Sequence, residues 1–293
     1  MAAPAVTVDA NPSRIPTVAL LPLALTILAF IILFAKPARL LGADWWNDPE
    51  AGHGLLLAPA AVWLAWRRGL LADRRPQPAL GSLLLAGAVL LRVASELAAE
   101  LFTMRLSMIG ALIGLVVFCF GLRQVLAWWL PVVLVILAIP LPDLITSSLA
   151  LPLQFKASQL GAALLAWRDV PVRLNGNIIQ LPEHRLFVTE ACSGLRSLTA
   201  LLSLAVLVGG LWLRHGVSRV LLVLVAIPIA VVINGVRVFL TGFLVYHVDP
   251  KLGEGFLHLT EGWLLFLVSF TLVGVVAGLL RWAEHHVPGA AHA

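Results

Sequence analysis

The sequence predicts an all-α polytopic membrane protein of about eight transmembrane helices, with an amphipathic helix and a small β-hairpin on the outer face ahead of a cysteine-bearing helix. Three observations carry that prediction. Of 293 residues, 60% are hydrophobic and only 12% are charged, with a mean hydropathy of +0.98. Soluble domains carry about 25% charged residues, so this chain has too little polar surface to cover a globule and the bilayer is its solvent. Apolar runs recur along the chain, most of them near the about 20 residues that cross a hydrocarbon core roughly 30 Å thick. Between the fifth and sixth runs lies one long stretch that spans nothing and carries a turn signal.

The runs fall near residues 16–35, 53–66, 79–95, 104–122, 125–141, 193–213, 217–245 and 256–280. The first follows Arg14 and has no small-residue cleavage site after it, which reads as a retained span rather than a cleaved signal peptide. The second is short and the seventh is longer than a bilayer needs. Orientation follows from Lys and Arg in short loops. The densest cluster, Arg67, Arg68, Arg74 and Arg75, joins spans two and three and is expected on the cytoplasmic side. Alternation then brings Arg14, Arg123, Arg214, Arg219 and Arg281 to the same side, together with both termini.

The non-spanning region has two parts. Leu144 to Trp167 mixes apolar residues with Ser, Gln and Lys156 at helical spacing, as suits a helix lying in the interface or packed against the bundle. Val170 to Leu181 then sets Asn175-Gly176 between two alternating apolar runs, a strong hairpin signal. Unpaired backbone in lipid is costly, so this hairpin belongs above the hydrocarbon or against protein. The chain thus divides into a five-span part (1–142), the outer helix and hairpin (143–191) and a three-span part (192–293) within one membrane domain.

The net charge of +5 is spread without any dense basic block, which argues against a nucleic-acid partner. The two cysteines lie in unlike settings: Cys119 inside an apolar run, expected to pack between helices, and Cys192 in a polar-flanked segment. A disulfide between them is not expected.

Ionisable or nucleophilic groups at span ends are costly without a role or a partner, and three stand out. Cys192 lies in Glu190-Ala191-Cys192-Ser193-Gly194-Leu195-Arg196, where the hairpin hands over to the sixth span. There the positive end of the helix dipole and Arg196 favour a thiolate, although a free cysteine also serves as a small buried hydrophobe. Arg237, with Asn234 on its face, lies in the outward half of the seventh span and either answers an acceptor or snorkels to headgroups. His258 opens the eighth span and is either a base or a satisfied interface residue. All three fall on the outer face of a topology fixed by other residues. Thiolate, guanidinium and imidazole on one face are what acyl transfer through a thioester requires.

At these residues the sequence resembles the exosortase/archaeosortase family of membrane transpeptidases. The likeness runs through Gly52-His53-Gly54, Pro152-Leu153-Gln154, Val170-Pro171-Val172, Asn175-Gly176-Asn177, the Cys192 segment, Asn234-Gly235-Val236-Arg237, Glu254-Gly255-Phe256-Leu257-His258 and Gly262-Trp263. The resemblance implies that Cys192 is the nucleophile, Arg237 the transition-state or substrate-carboxyl partner and His258 the acid/base. His247 is the other outer-face histidine of that region; the match favours His258. The resemblance also implies substrates that are exported proteins ending in a Pro-Glu-Pro-type motif, a transmembrane helix and a basic cluster, and passage of the acyl group to a cell-surface acceptor. Bacterial members accompany exopolysaccharide production, and the setting implied is the bacterial inner membrane with the site facing outward.

Glu190, Arg196, Asn234 and His53 are supporting candidates. Glu190 orients His258, binds a substrate amine or is a solvated strand end. His53 contacts substrate or packs against Trp45 and Trp46. Glu183, His184 and Arg185 read as a solvated turn, and His285, His286 and His292 as a cytoplasmic tail without the company a metal needs. No cofactor or metal is expected. The competing reading is a non-enzymatic subunit of polysaccharide export. It is disfavoured because a transporter repeats its polar features in both halves, whereas here they concentrate after residue 170.

Overall fold

The computed structural model describes the backbone of residues 17–48, 50–188, 194–248 and 256–286, and side-chain packing within residues 25–48, 50–142, 144–188, 194–248 and 263–286. In chain order the helices are α1 (Thr17–Asn47), α2 (Gly54–Arg68), α3 (Pro78–Leu97), α4 (Leu101–Phe120), α5 (Leu122–Ala127), α6 (Trp129–Leu137) and α7 (Asp143–Trp167). Strands β1 (Arg173–Asn175), β2 (Ile178–Gln180) and β3 (Arg185–Phe187) follow, then α8 (Leu195–Trp212), α9 (Gly216–His247) and α10 (Phe256–His286).

Six helices among the described residues are long and apolar enough to cross a membrane: α1, α3, α4, α8, α9 and α10. The two further spans expected from the apolar runs are α2, of only 15 residues, and the pair α5 and α6, of 6 and 9. At 1.5 Å per residue α2 is about 22 Å long. The fifth run is broken at Trp128 for a reason written in the sequence. Pro131 has no N–H to give to Ala127 four residues earlier, and Arg68 supplies the missing donor, its Nη1 lying 2.7 Å from the Ala127 carbonyl oxygen. Fully buried Gln124 fastens the same corner: it donates to Gly69 O and accepts from Leu71 N, while Trp128 Nε1 also donates to Gly69 O.

Contacts between loops sort the bundle into two ends. At one end Arg68 meets Ala127, Arg123 pairs with Asp73, Arg74 lies over Phe120 and Arg219 lies over Trp129, while Glu284 accepts from the backbone N–H groups of Arg214 and His215. The basic loops assigned to one side by alternation are therefore together, apart from Arg14, which lies outside the described residues. At the other end Trp45 Nε1 donates to Ala138 O (2.7 Å), and His53 Nε2 is 3.1 Å from Leu137 O. This end also holds ionic pairs joining helices distant in sequence. Buried Arg105 of α4 pairs with Asp44 of α1, and Glu96 of α3 pairs with Arg92 and with Lys36 of α1. A guanidinium buried in a span needs such a carboxylate.

The amphipathic stretch 144–167 is helix α7, and of the two placements the sequence allowed it takes the packed one. A Cβ on Gly161 would lie 2.5 Å from Val238 Cγ1, and one on Gly235 would lie 2.6 Å from Leu160 Cβ, so the two backbones approach through small residues. The order of these contacts makes α7 run parallel to the second half of α9. With 32 residues α9 is about 48 Å long, well beyond the roughly 30 Å hydrocarbon. Its excess, the end of α7 and the sheet share a core of their own around Leu165, Ile179, Val188, Val238 and Val245.

That sheet is a three-stranded antiparallel meander, β1-β2-β3. Asn175 pairs with Ile178, so the two-residue turn is Gly176-Asn177, with Gly176 at φ +63 as a hairpin's first turn position demands. The third strand was not anticipated. Arg185, expected in a solvated turn with Glu183 and His184, begins β3 by pairing with Gln180; three residues are too few to show an alternation.

Candidate active site

The segment bearing the thiol joins Val188, at the end of the meander, to Gly194; Glu190 and Cys192 lie outside the described residues. Both flanks are fastened. At the entry, Val188 N donates to Asn177 O at 3.0 Å, and Asn177 Nδ2 donates to Val188 O at 3.1 Å and to Gln154 Oε1 at 3.3 Å. The buried Gln154 of α7 thus ties the hairpin turn, and through it the start of the cysteine segment, to the helix behind.

At the exit, Gly194 has φ +79 and ψ 4, the left-handed region that glycine enters without cost, and its carbonyl accepts from Leu198 N at 2.8 Å to open α8. A Cβ there would lie 2.6 Å from Cγ of Asn234, which is 5% exposed. Leu153, Leu198, Ala230 and Val231 close around the same contact. Arg237 follows one turn along α9 on the same face, half-buried, with Thr241 Oγ1 donating to its carbonyl oxygen at 3.0 Å.

Four stretches singled out in the sequence therefore meet: Leu153-Gln154, Asn177, the end of the cysteine segment at Gly194, and Asn234 with Arg237. The roles of Gln154 and Asn177 as fasteners were invisible in the sequence, where they stood only as matching motif residues. His258 lies in the first turn of α10, a helix whose Val273 and Ala277 share a core with Leu222 and Ala226 of α9. Antiparallel packing brings that first turn to the Arg237 end of the bundle; the His258 side chain lies outside the described residues.

Arg196 stands two residues beyond Gly194, and the remaining candidates sit apart. Arg196 is exposed in the first turn of α8. His53 is engaged with main chain, Nδ1 at 3.1 Å from Glu50 O and Nε2 at 3.1 Å from Leu137 O, where it closes the end of α6 beside Trp45. His247 is exposed at the end of α9 with its ring against Phe243 and Tyr246. Ten residues of helix, about 15 Å, separate it from Arg237. Cys119, expected to pack between helices, is instead exposed on α4 near the basic end, away from Gly194.

The model of the transmembrane exosortase family matches residues 45–275. The chain belongs to that family. The matched stretch contains every element of the site, from the His53 turn to the first turns of α10, and stops short of the final turns of α10. No curated protein and no solved structure matches this exosortase.

Proposed function

We propose that this exosortase is a cysteine transpeptidase of the bacterial inner membrane. It cleaves the C-terminal sorting tail of exported proteins, a Pro-Glu-Pro-like motif followed by a transmembrane helix and a basic cluster, and passes the new C-terminus to a cell-surface acceptor. The active site faces outward, and the basic loops and both termini are cytoplasmic. The observation that carries the reading is the packing of Gly194, two residues after Cys192, on Asn234, one turn before Arg237: segments forty residues apart converge as a shared reaction centre requires.

In this mechanism the Cys192 thiolate attacks the scissile carbonyl carbon, and Arg237 stabilises the oxyanion that forms. His258 protonates the leaving amine as the thioester appears, then takes a proton from the acceptor nucleophile that releases it. Glu190, Arg196 and Asn234 support the site. No cofactor enters.

The test is processing of a tagged substrate in cells carrying Cys192→Ala or Cys192→Ser at normal protein levels. Loss of processing in both supports the reading and normal processing in either sinks it. Trapping an acyl group on Cys192 identifies the residue attached.

A further inference from the structure

Along the outward face of α2 runs an apolar groove of about 510 Å³, lined by Trp45, Leu55, Pro59, Val62, Trp63 and Trp66. Its lining is almost devoid of polar surface until it reaches the basic end of the bundle, where the character changes within one turn. The guanidinium of Arg67 stacks on Trp63 at 4.9 Å from the ring centre, and Arg68, Arg74 and Arg75 follow in the same short loop. The loop's one carboxylate, Asp73, is taken by Arg123. Among the described residues no carboxylate lies within ion-pair distance of Arg67 or Arg68.

The length of α2 sharpens this imbalance. A helix of about 22 Å is shorter than the roughly 30 Å hydrocarbon, so it draws the headgroup region toward its ends or forces its terminal side chains to reach for it. Arg67 lies over Trp63, which lines the groove, whereas Arg68 continues the buried Leu57, Ala61 and Leu64 stripe of α2 and turns to Ala127. Arg67 is exposed at the end of the groove, at the level of the headgroups that a short helix draws in. An apolar channel ending in a guanidinium without a carboxylate partner has the two-part chemistry of a phospholipid with a negatively charged headgroup. The same charges disfavour a transmembrane helix with a basic cytoplasmic tail, such as the proposed substrate carries.

We infer that this groove is a binding site for an anionic phospholipid of the leaflet facing the basic loops, with an acyl chain along Trp45 to Trp66 and the phosphate at Arg67. The site is separate from the Gly194–Asn234 region, so its existence does not depend on the proposed reaction.

The test uses the full chain in detergent, titrated with phosphatidylglycerol or phosphatidylcholine and followed by native mass spectrometry. In parallel, brominated forms of each lipid quench tryptophan fluorescence. Phosphatidylglycerol is expected to bind more tightly, by roughly fivefold per arginine engaged. Arg67→Gln removes that factor and Trp63→Ala weakens retention of the chain, whereas Arg281→Gln, at the same end on α10, leaves it unchanged. Equal binding of the two lipids overturns the inference. So does equal loss in Arg67→Gln and Arg281→Gln, which marks diffuse surface charge, and so does full competition by inorganic phosphate, which marks a bare anion site.

Discussion

Gly194 and Asn234 occupy space that one added methyl group would overfill: an alanine Cβ at Gly194 falls 2.6 Å from Cγ of Asn234. The same glycine has φ +79, where a side chain costs about 1–2 kcal/mol. Gly194→Ala is therefore expected to lower stability by about 2–4 kcal/mol and to reduce processing of a tagged substrate. Adding Asn234→Ala relieves the clash but not the backbone strain, so the double variant should recover only part of the loss in a thermal unfolding assay. Full recovery would show that left-handed backbone is not needed at this position.

Asn177 holds the entrance to the cysteine segment through its side chain and its own carbonyl oxygen. Asn177→Ala removes the side-chain bonds and strands Gln154 Oε1, at a cost of about 1–3 kcal/mol. Gln154→Ala should cost less, because Asn177 keeps its bond to Val188. Comparing unfolding midpoints of the two variants checks the order; a larger loss in Gln154→Ala would contradict it.

The two histidines near the end of α9 separate by position. His258→Ala is expected to reduce processing by about 10²–10⁴-fold, the usual contribution of a positioned acid/base. His247→Ala should leave it within a few-fold, since about 15 Å of helix lies between His247 and Arg237. The reverse outcome in a processing time course would exchange their roles.

Arg68 and Pro131 form a compensating pair around the Ala127 carbonyl oxygen. Arg68→Ala should destabilise the wild-type background by about 1–3 kcal/mol. In a Pro131→Ala background the restored N–H supplies the carbonyl from within the helix, and the same substitution should cost less. A double-mutant cycle with additive effects would refute the compensation.

A pH dependence follows from Glu100, which caps α4 outside the spans. Its carboxylate accepts from the Thr103 hydroxyl and from Thr103 N and Phe102 N, and these bonds hold its pKa below the ordinary glutamate range. The folded pKa is depressed, so the stabilisation is full above the unfolded pKa and is lost as pH falls through the folded one. Glu100→Gln should lower the melting temperature at neutral pH and flatten its decline in acid. An unchanged acid profile would show that other carboxylates govern it.

What could be read from the sequence divides by range. Asn175 to Asn177 announced the hairpin because a turn is a local agreement between neighbours. Residues 144–167 showed their helix because periodicity is local too. The ionic pairs were hidden: nothing near Arg105 points to Asp44, sixty-one residues away, and nothing near Glu96 points to Lys36. The break of the fifth run into α5 and α6 was not anticipated, although the effect of Pro131 on Ala127 was legible in principle. The convergence of Gly194, Asn234, Gln154 and Asn177 needed the three-dimensional fold, because packing of small residues leaves no periodic trace.

The height of α9 sets the elevation of the Gly194–Asn234 contact. Asn234 stands eighteen residues above Gly216, about 27 Å up a helix that starts at the basic end, close to one hydrocarbon thickness. On the proposed reaction, a substrate anchored by its own helix in the same bilayer would meet the site at a fixed elevation, so the distance from its last buried residue to its scissile bond would become a quantity the site reads. Lengthening that interval by a few residues would then put the bond out of register even when every recognition residue is intact.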